Sequence, residues 1–315
     1  MRSRDLGFRI GTGVFGLVLV AIVVAIGFEL TRQSMLTIAK FGFSFWRTST
    51  WDPVAGEFGA LPFIWGTLYS SVLALALATP VALGIAVFIA ELCPARLQKP
   101  LVFLTELLAA IPSIVYGLWG IFVLVPAVRA LEVWTPAALR QFPLFSGPPL
   151  GVGMLSAGII LAIMVIPFTS SVAREVLKSV PSAQREGAYA LGATRLEAIR
   201  AALFYARTGI VGAVMLGFGR ALGETMAVTM VFGNNPQVSL SLFAPQYTMA
   251  AVIANEFTEA ADELYLDALV EIGLVLFVIT LIVNLMSRLL IWSMAKSGQP
   301  ARVEPVTTPA EATAA

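Results

Sequence analysis

The stretch IVGAVMLGFGRALGETMAVTMVF, residues 210–232, is apolar over most of its length but carries Arg220 and Glu224 near its centre. About 20 predominantly apolar residues are enough for a helix to cross a bilayer. An arginine at the middle of such a helix costs roughly 2.5–3.5 kcal/mol on insertion scales, so an intramembrane arginine marks a functional site by default. The stretch therefore predicts a transmembrane helix with a working charge at Arg220.

The composition predicts that the whole chain is an integral membrane protein. Hydrophobic residues make up 58% of its 315 residues and charged residues 12%, and the mean hydropathy is +0.87. Such values lie far from those of soluble domains. Together with residues 210–232, five further apolar runs predict an all-α, polytopic bundle of six transmembrane helices; these runs are residues 8–30, 64–90, 102–128, 151–172 and 269–292. Kinks rather than helix ends are expected at Pro80, Pro112, Pro126 and Pro167.

The basic residues predict the orientation of the bundle. Most of the 20 Lys and Arg lie at the two ends of the chain, around residues 96–99 and within residues 173–208, whereas residues 233–268 carry none. Because cytoplasmic loops are enriched in Lys and Arg, both termini and residues 173–208 are predicted to be cytoplasmic. Residues 1–296 then form one transmembrane domain. Residues 297–315 are rich in Pro, Ala, Thr and Glu and predict a disordered cytoplasmic tail.

The connection between the fourth and fifth helices, residues 173–208, has a pattern of its own. Ser182 follows Pro181 and is a suitable helix cap. The apolar members of the amphipathic pattern that follows are Ala188, Leu191, Leu196 and Ile199. Gly192 interrupts this pattern. We expect two short helices with a bend between them, lying along the membrane surface.

Several segments of the chain resemble one family of transporters. Glu186, Gly187 and Ala188, followed after three residues by Gly192, are similar to the E-A-A-x-x-x-G motif in the coupling loop of ABC importer permeases. Four further segments, covering helices two to six, are similar to the permeases of phosphate-specific importers; these are residues 110–120, 219–228, 241–245 and 253–257. One departure is the sequence ALFY at residues 202–205, where the family usually has I-x-L-P.

This resemblance implies a fold, partners and roles. The fold would be that of a type I ABC importer permease, MetI-like, in a bacterial or archaeal cytoplasmic (inner) membrane. The chain would pair with a PstA-like permease, an ATPase dimer and an extracytoplasmic phosphate-binding protein, and it would import phosphate. Glu186, Gly187, Ala188 and Gly192 would couple it to the ATPase. ATP would be used by that partner, and this chain would bind no cofactor.

The motifs that are missing agree with a transport subunit. The sequence has no G-x-x-x-x-G-K-[ST] loop, so hydrolysis of ATP is expected on a separate subunit and the chain is not expected to be an enzyme. It has no His and only one Cys, Cys93, so no catalytic or metal site is predicted. Nothing in it predicts nucleic-acid binding.

The role of the central charges is left open by the sequence. Arg220 and Glu224 are four residues apart, so a continuous helix would place them on one face. They could form an ion pair that only lowers the cost of burial, an anion site or a gate; a guanidinium is suited to phosphate. Gly219 and Gly223 form a small-x-x-x-small pair, which predicts close packing against another helix.

Three alternatives to a phosphate importer also remain. The loop at residues 173–208 could be an amphipathic segment that only coats the membrane. Another oxyanion, such as molybdate or sulfate, would be bound by the same arginine chemistry. A secondary transporter without ATP is disfavoured, because the intramembrane Arg–Glu pair occurs once and no internal repeat accompanies it.

Overall fold

The computed structural model describes residues 3–296, and this part of the chain is helical with short connections. The helices are α1 (Ser3–Gln33), α2 (Met35–Phe41), α3 (Leu61–Val87), α4 (Ala95–Ala110), α5 (Ser113–Trp119), α6 (Val125–Trp134), α7 (Ala137–Arg140), α8 (Met154–Lys178), α9 (Ser182–Ala190), α10 (Arg195–Leu222), α11 (Met226–Val231), α12 (Met249–Glu256) and α13 (Glu263–Lys296). π-helical turns at Phe88–Leu92 and Gly120–Leu124 extend α3 and join α5 to α6. Residues 3–296 contain no β-strand, only two isolated bridges. The predicted all-α class is confirmed, and the predicted tail lies outside the described residues.

Six helical segments of the described chain are long and apolar enough to cross a membrane, as predicted. They are Arg9–Gln33, Leu61–Leu92, Ser113–Trp134, Met154–Lys178, Arg195–Leu222 and Glu263–Met294. The third and fifth differ from the prediction. The third was expected at residues 102–128, but α4 ends at Ala110 and a new helix begins at Ser113. The fifth was expected at residues 210–232, but α10 begins at Arg195 and ends at Leu222.

The prolines explain part of this difference. Pro80 and Pro167 lie inside α3 and α8, as expected for membrane helices. Pro126 follows the π-helical turn Gly120–Leu124 within the continuous span Ser113–Trp134, so it too lies inside a membrane helix. Pro112, however, separates two helices: Ile111 before it has ψ of 129°. The ring of a proline pushes the preceding residue out of the α region, and here that extended conformation ends α4.

Helix α8 is the centre of the bundle. It packs against α3, α4, α10 and α11, whereas α1 packs mainly on α13. Small residues allow these contacts: a Cβ at Gly158 would overlap Leu73 of α3, and a Cβ at Gly217 would overlap Thr169 of α8. In a membrane, helices associate through this kind of close packing rather than through the hydrophobic effect.

The connection between α11 and α12 folds back over the start of α8. The N–H groups of Gly153, Met154 and Leu155 donate to backbone carbonyls of Val231 (3.0 Å), Ala244 (3.1 Å) and Leu242 (2.7 Å), in that order. The first N–H groups of a helix have no partner within it, and unpaired ones are costly at a membrane surface. This connection therefore supplies the missing acceptors and fixes the end of α8 opposite α9.

Candidate functional site: the coupling loop and the interrupted helix

Gly192 forms the bend between α9 and α10. It has φ of +81°, a left-handed conformation that glycine adopts without strain. The N–H of Gly192 donates to the carbonyl of Tyr189 (2.9 Å), and the N–H of Ala193 donates to the carbonyl of Ala188 (3.1 Å). These two bonds are those of a Schellman motif, which ends a helix at a left-handed residue. The predicted bend at Gly192 is confirmed, and its physical reason is the backbone conformation.

The next helix begins directly after this bend. Thr194 is the N-cap of α10 and forms a capping box with Glu197. The Thr194 N–H donates to Glu197 Oε2 at 2.7 Å, and its hydroxyl donates to the same oxygen at 2.8 Å. A capping box satisfies N–H groups that a helix start otherwise leaves unpaired. Both sides of the bend are thus held by local hydrogen bonds.

A second short surface helix, predicted after Gly192, is not present. The chain enters α10 at Arg195 and continues without a break to Leu222. Residues 202–205, where the resembled family usually has a proline, lie inside α10. Without a proline every N–H can donate to the preceding turn, so nothing interrupts the helix there.

Arg185 fastens α9 to the rest of the bundle. Its NH2 donates to Glu91 Oε1 (2.5 Å) and to the carbonyl of Leu177 (3.0 Å), and its NH1 donates to the carbonyl of Val180 (3.0 Å). Arg195 adds a bond from its NH2 to the backbone oxygen of Glu91 (2.7 Å). The sequence interpretation counted both arginines only as topological charges. Glu91 is 94 residues away from Arg185, so no local pattern could have revealed the pair.

The outward face of the bend is apolar and uncovered in this chain. The exposed fraction is 49% for Tyr189, 91% for Leu191 and 61% for Leu196. The predicted amphipathic pattern is only partly observed, because Ile199 is buried while Leu191 and Leu196 point away from the bundle. Of the other motif residues, Glu186 and Gly187 are exposed and Ala188 is half-buried. The bend thus presents an apolar surface on a rigid frame, which we call the docking face (Tyr189, Leu191 and Leu196).

The charged segment of the fifth span does not form one helix. Gly223 is the C-cap of α10, and α11 begins only at Met226. The prediction that Arg220 and Glu224 share a helix face is therefore wrong. Among residues 3–296, no ion pair joins the two side chains. Glu224 Oε1 instead accepts the N–H of Ala227 at 3.3 Å, at the start of α11.

Arg220 lies in the last turn of α10 and is exposed within this chain. Its guanidinium carbon is 5.7 Å from the centre of the Phe168 ring on α8. A cation is favourable at the C-terminal end of a helix. Irregular backbone at membrane depth is tolerated where it is buried in protein or lines a water-filled space. The helix break and the exposed Arg220 together therefore favour an aqueous path at this point.

The two glycines beside Arg220, Gly219 and Gly223, face open space within this chain. A Cβ at Gly219 would meet no atom, and one at Gly223 would meet only the carbonyl of Gly219 at 3.9 Å. No helix of this chain therefore packs on the two glycines, and their packing against another helix stays a prediction. Close approaches occur at Gly217, described above, and at Gly117, where a Cβ would lie 2.6 Å from Met230 Sδ. The sequence alone does not show which glycine of a helix faces its neighbour.

The described chain thus has six segments able to span a membrane, with an exposed helix–bend–helix between the fourth and the fifth. In two solved inward-facing structures of the MetNI methionine ABC transporter, the matched chains have TM-scores of 0.55 and 0.56 to this chain at 15% and 14% identity. The matches cover 73% and 74% of this chain and 94% of those chains. At this identity the likeness shows the fold, which agrees with the predicted MetI-like bundle.

Residues 82–296 match the family described as "Binding-protein-dependent transport system inner membrane component", and the chain belongs to that family. Among similar proteins are three described as phosphate transport system permease protein PstC, the last as probable. That of Haemophilus influenzae is 46% identical over 92% of this chain and 94% of its own length. That of Mesorhizobium japonicum is 44% identical over 90% of this chain and 89% of its own length. That of Methanocaldococcus jannaschii is 39% identical over 85% of this chain and 87% of its own length.

Proposed function

We propose that this chain is the membrane permease of an ATP-driven importer of inorganic phosphate. The observation that carries the proposal is the 46% identity, over nearly the whole of both chains, to a phosphate transport system permease. The architecture supports it, since the residues similar to the coupling motif form a capped, well-anchored bend on the surface. In this function the chain transports, and ATP is hydrolysed on another subunit.

The docking face supports a contact with an ATPase subunit. Leu191 is 91% exposed at the tip of the bend. An apolar side chain held on a rigid turn suits insertion into a groove of a partner, because little conformational entropy is lost on binding. The Lys and Arg distribution, given above, supports a cytoplasmic position for this face and for both termini. A loop that only coats the membrane would not need the Arg185–Glu91 anchor.

Other surfaces support further subunits. The most apolar window of α1 has no buried residue in this chain, and the surface around Gly219 and Gly223 is open. Both are available to a second, PstA-like permease, against which the small-x-x-x-small pair would then pack. On the opposite side, the connection between α11 and α12 is available to an extracytoplasmic phosphate-binding protein.

Arg220 is the residue that we propose to contact phosphate on its way. Its guanidinium presents donors in a planar fork that fits two phosphate oxygens at once. It is not neutralised by Glu224 in this conformation, and it stands where the helix is interrupted. Glu224, the residue after the C-cap Gly223, can return to Arg220 and displace the anion, so that phosphate is not held permanently.

The test is uptake of radiolabelled phosphate by membrane vesicles containing the complete transporter. Uptake should require both ATP and the binding protein; uptake without ATP would instead indicate a secondary transporter. Sulfate and molybdate added as competitors distinguish the oxyanions. Failure to compete at a hundredfold excess supports phosphate, whereas uptake of labelled sulfate or molybdate in place of phosphate would assign the alternative.

Variants of Arg220 test the proposed path. Arg220→Met combined with Glu224→Leu should assemble at normal levels and lose phosphate uptake, and Arg220→Lys should recover little because it lacks the planar fork. Arg207→Met is the matched control, since Arg207 also lies on α10 with its guanidinium carbon 4.3 Å from the centre of an aromatic ring, that of Phe204. Normal uptake by the double variant would reduce Arg220 to a packing residue.

A further inference from the structure

A cavity between α3, α4, α5 and α8 lies next to the proposed path. Three hydroxyl-bearing side chains, Thr105, Tyr116 and Ser170, line it together with apolar residues. Helix α8 contributes Ile163, Ile166, Pro167 and Ser170, and three of them, Ile163, Pro167 and Ser170, follow one another at intervals of four and three residues. Residues with this spacing form one stripe along a helix. One stripe of α8 therefore forms a wall of the cavity.

Arg174 continues this stripe by one further turn, four residues after Ser170. It is 5% exposed, and its Nε is buried without a hydrogen-bond partner. Side chains on a helix lean towards its N-terminus, and the position of Arg174 is one turn from that of Ser170, which lines the cavity. A buried arginine with an unpaired donor is costly, because buried charges are normally paired and fully hydrogen-bonded. The sequence interpretation placed this residue simply among the cytoplasmic charges.

Two carboxylates pair with Arg174: that of Glu175, the next residue on α8, and that of Glu106 on α4. Its NH2 is 2.9 Å from Glu175 Oε1 and 3.6 Å from Glu106 Oε1. The arginine side chain is 6% exposed, whereas those of Glu106 and Glu175 are 59% and 62% exposed. The pairing is thus between one buried cation and two hydrated carboxylates, one of them held at a long distance. While both are in place, their two negative charges outweigh the single positive one.

Arg174 belongs to α8, and Arg220, on α10, packs against the same helix α8. Arg220 lies over the ring of Phe168, which is next to Pro167 in the wall of the cavity. Phe168 and Arg174 are six residues apart on α8, a rise of about 9 Å. An anion released at Arg220 would therefore find a second guanidinium within about two helical turns.

We propose that Arg174 is a second anion-binding residue of the path, occupied by Glu106 and Glu175 in the present conformation. Separation of α4 from α8 removes Glu106, and rotation of the exposed Glu175 side chain into solvent then frees the guanidinium. The inference rests on the proposed function, since it takes phosphate as the anion and the α9 end of α8 as the cytoplasmic side. Carboxylates and phosphate compete for the same guanidinium donors. Phosphate released from Arg220 can therefore displace the carboxylates and bind Arg174. The returning carboxylates then displace phosphate from Arg174 towards the cytoplasm.

The test is equilibrium binding of radiolabelled inorganic phosphate to the assembled transporter in nanodiscs, without ATP and without the binding protein. Glu106→Gln and Glu175→Gln each remove one competing carboxylate, so each should tighten phosphate binding, by about tenfold for one charge-assisted contact. Adding Arg174→Gln to either variant should abolish the gain. Lys178→Gln, which removes an exposed cation from the same end of α8, is the control and should leave the affinity unchanged.

The binding measurements distinguish an anion-binding Arg174 from a structural one. A purely structural Arg174 would change assembly or thermal stability but would not tighten phosphate binding when a carboxylate is removed. Unchanged affinity in both glutamine variants overturns the inference, and so does a gain that survives Arg174→Gln. The proposed function is judged separately, by phosphate uptake of the unaltered transporter. If uptake is present and the affinity does not change, only the role of Arg174 fails.

Discussion

Replacing Gly192 by valine should disconnect the permease from its ATPase without unfolding the bundle. Gly192 has φ of +81°, and a Cβ built there would meet no other atom, so the cost comes from the backbone alone. A left-handed conformation costs an L-residue roughly 1–2 kcal/mol, and β-branched residues are true outliers in it. Each of the two Schellman hydrogen bonds that would loosen contributes about 0.5–1.5 kcal/mol.

These terms add to about 2–5 kcal/mol, and the lower value alone reduces the population of the native bend about thirtyfold. The bend is exposed and makes few contacts with the six spans, so the membrane bundle should remain folded. The docking face depends on this bend, because Leu191 and Leu196 stand on either side of it. Recovery of the ATPase with an affinity-tagged permease, and ATP-dependent phosphate uptake, should therefore both fall.

Two controls separate the backbone effect from general damage. Gly192→Asn keeps the left-handed conformation within reach, since asparagine visits it more readily than other residues, and it should retain most of the ATPase. Gly147→Val introduces the same side chain at another open glycine with positive φ (+117°), on the connection between α7 and α8, and should leave ATPase recovery unchanged. If the valine variant at position 192 binds ATPase and transports normally, or if asparagine is as harmful as valine, the reasoning is refuted.

Three further predictions concern the same loop. Gly187→Ala should stabilise the purified chain, by up to about 1 kcal/mol, because Gly187 is inside α9 with open space at its Cβ; a lower melting temperature by circular dichroism would contradict this. Glu91→Gln should reduce ATPase recovery by leaving Arg185 without its carboxylate, and the exchanged pair Glu91→Arg with Arg185→Glu should restore part of it; full recovery in the single variant would argue against the anchor. Ala190→Cys, in a chain carrying Cys93→Ser, should react with an impermeant thiol reagent only from the cytoplasmic side, and reaction from outside would reverse the proposed orientation.

The number of spans could be predicted from the sequence because it depends on a simple quantity, the length of each apolar run. The ends of the spans depend on finer features. At Pro112 the proline broke the helix, while at Pro80 and Pro167 it did not. The difference lies in whether neighbouring helices hold the chain helical through the proline, and that is a property of the packed bundle.

The two candidate sites differ in the same way. Gly192 could be predicted because a single glycine decided the local backbone. The relation of Arg220 to Glu224 could not, because the residues between them, Ala221 to Gly223, look helical in isolation. The end of α10 at Leu222 reflects the packing of α11 against α5, a contact between segments about 110 residues apart along the chain. A spacing of four residues places two side chains on one helix face only if the helix continues between them, and α10 ends between Arg220 and Glu224.

The contacts of the docking loop show where a movement of the ATPase would enter the bundle. Arg185 holds α9 to Glu91, in the π-helical turn that extends α3, and to the carbonyls of Leu177 and Val180 at the end of α8. Helix α10 starts at the bend itself and runs for 28 residues to the turn that carries Arg220, about 42 Å at 1.5 Å per residue. A movement of the loop would therefore reach α3, α8 and α10 first, and α13 through its packing on α10. Because no proline interrupts α10 after the bend, a displacement of the loop reaches Arg220 along one continuous helix, without a hinge to absorb it. The departure from the usual I-x-L-P sequence thus gives this chain a stiffer connection between the proposed ATPase contact and the proposed anion path.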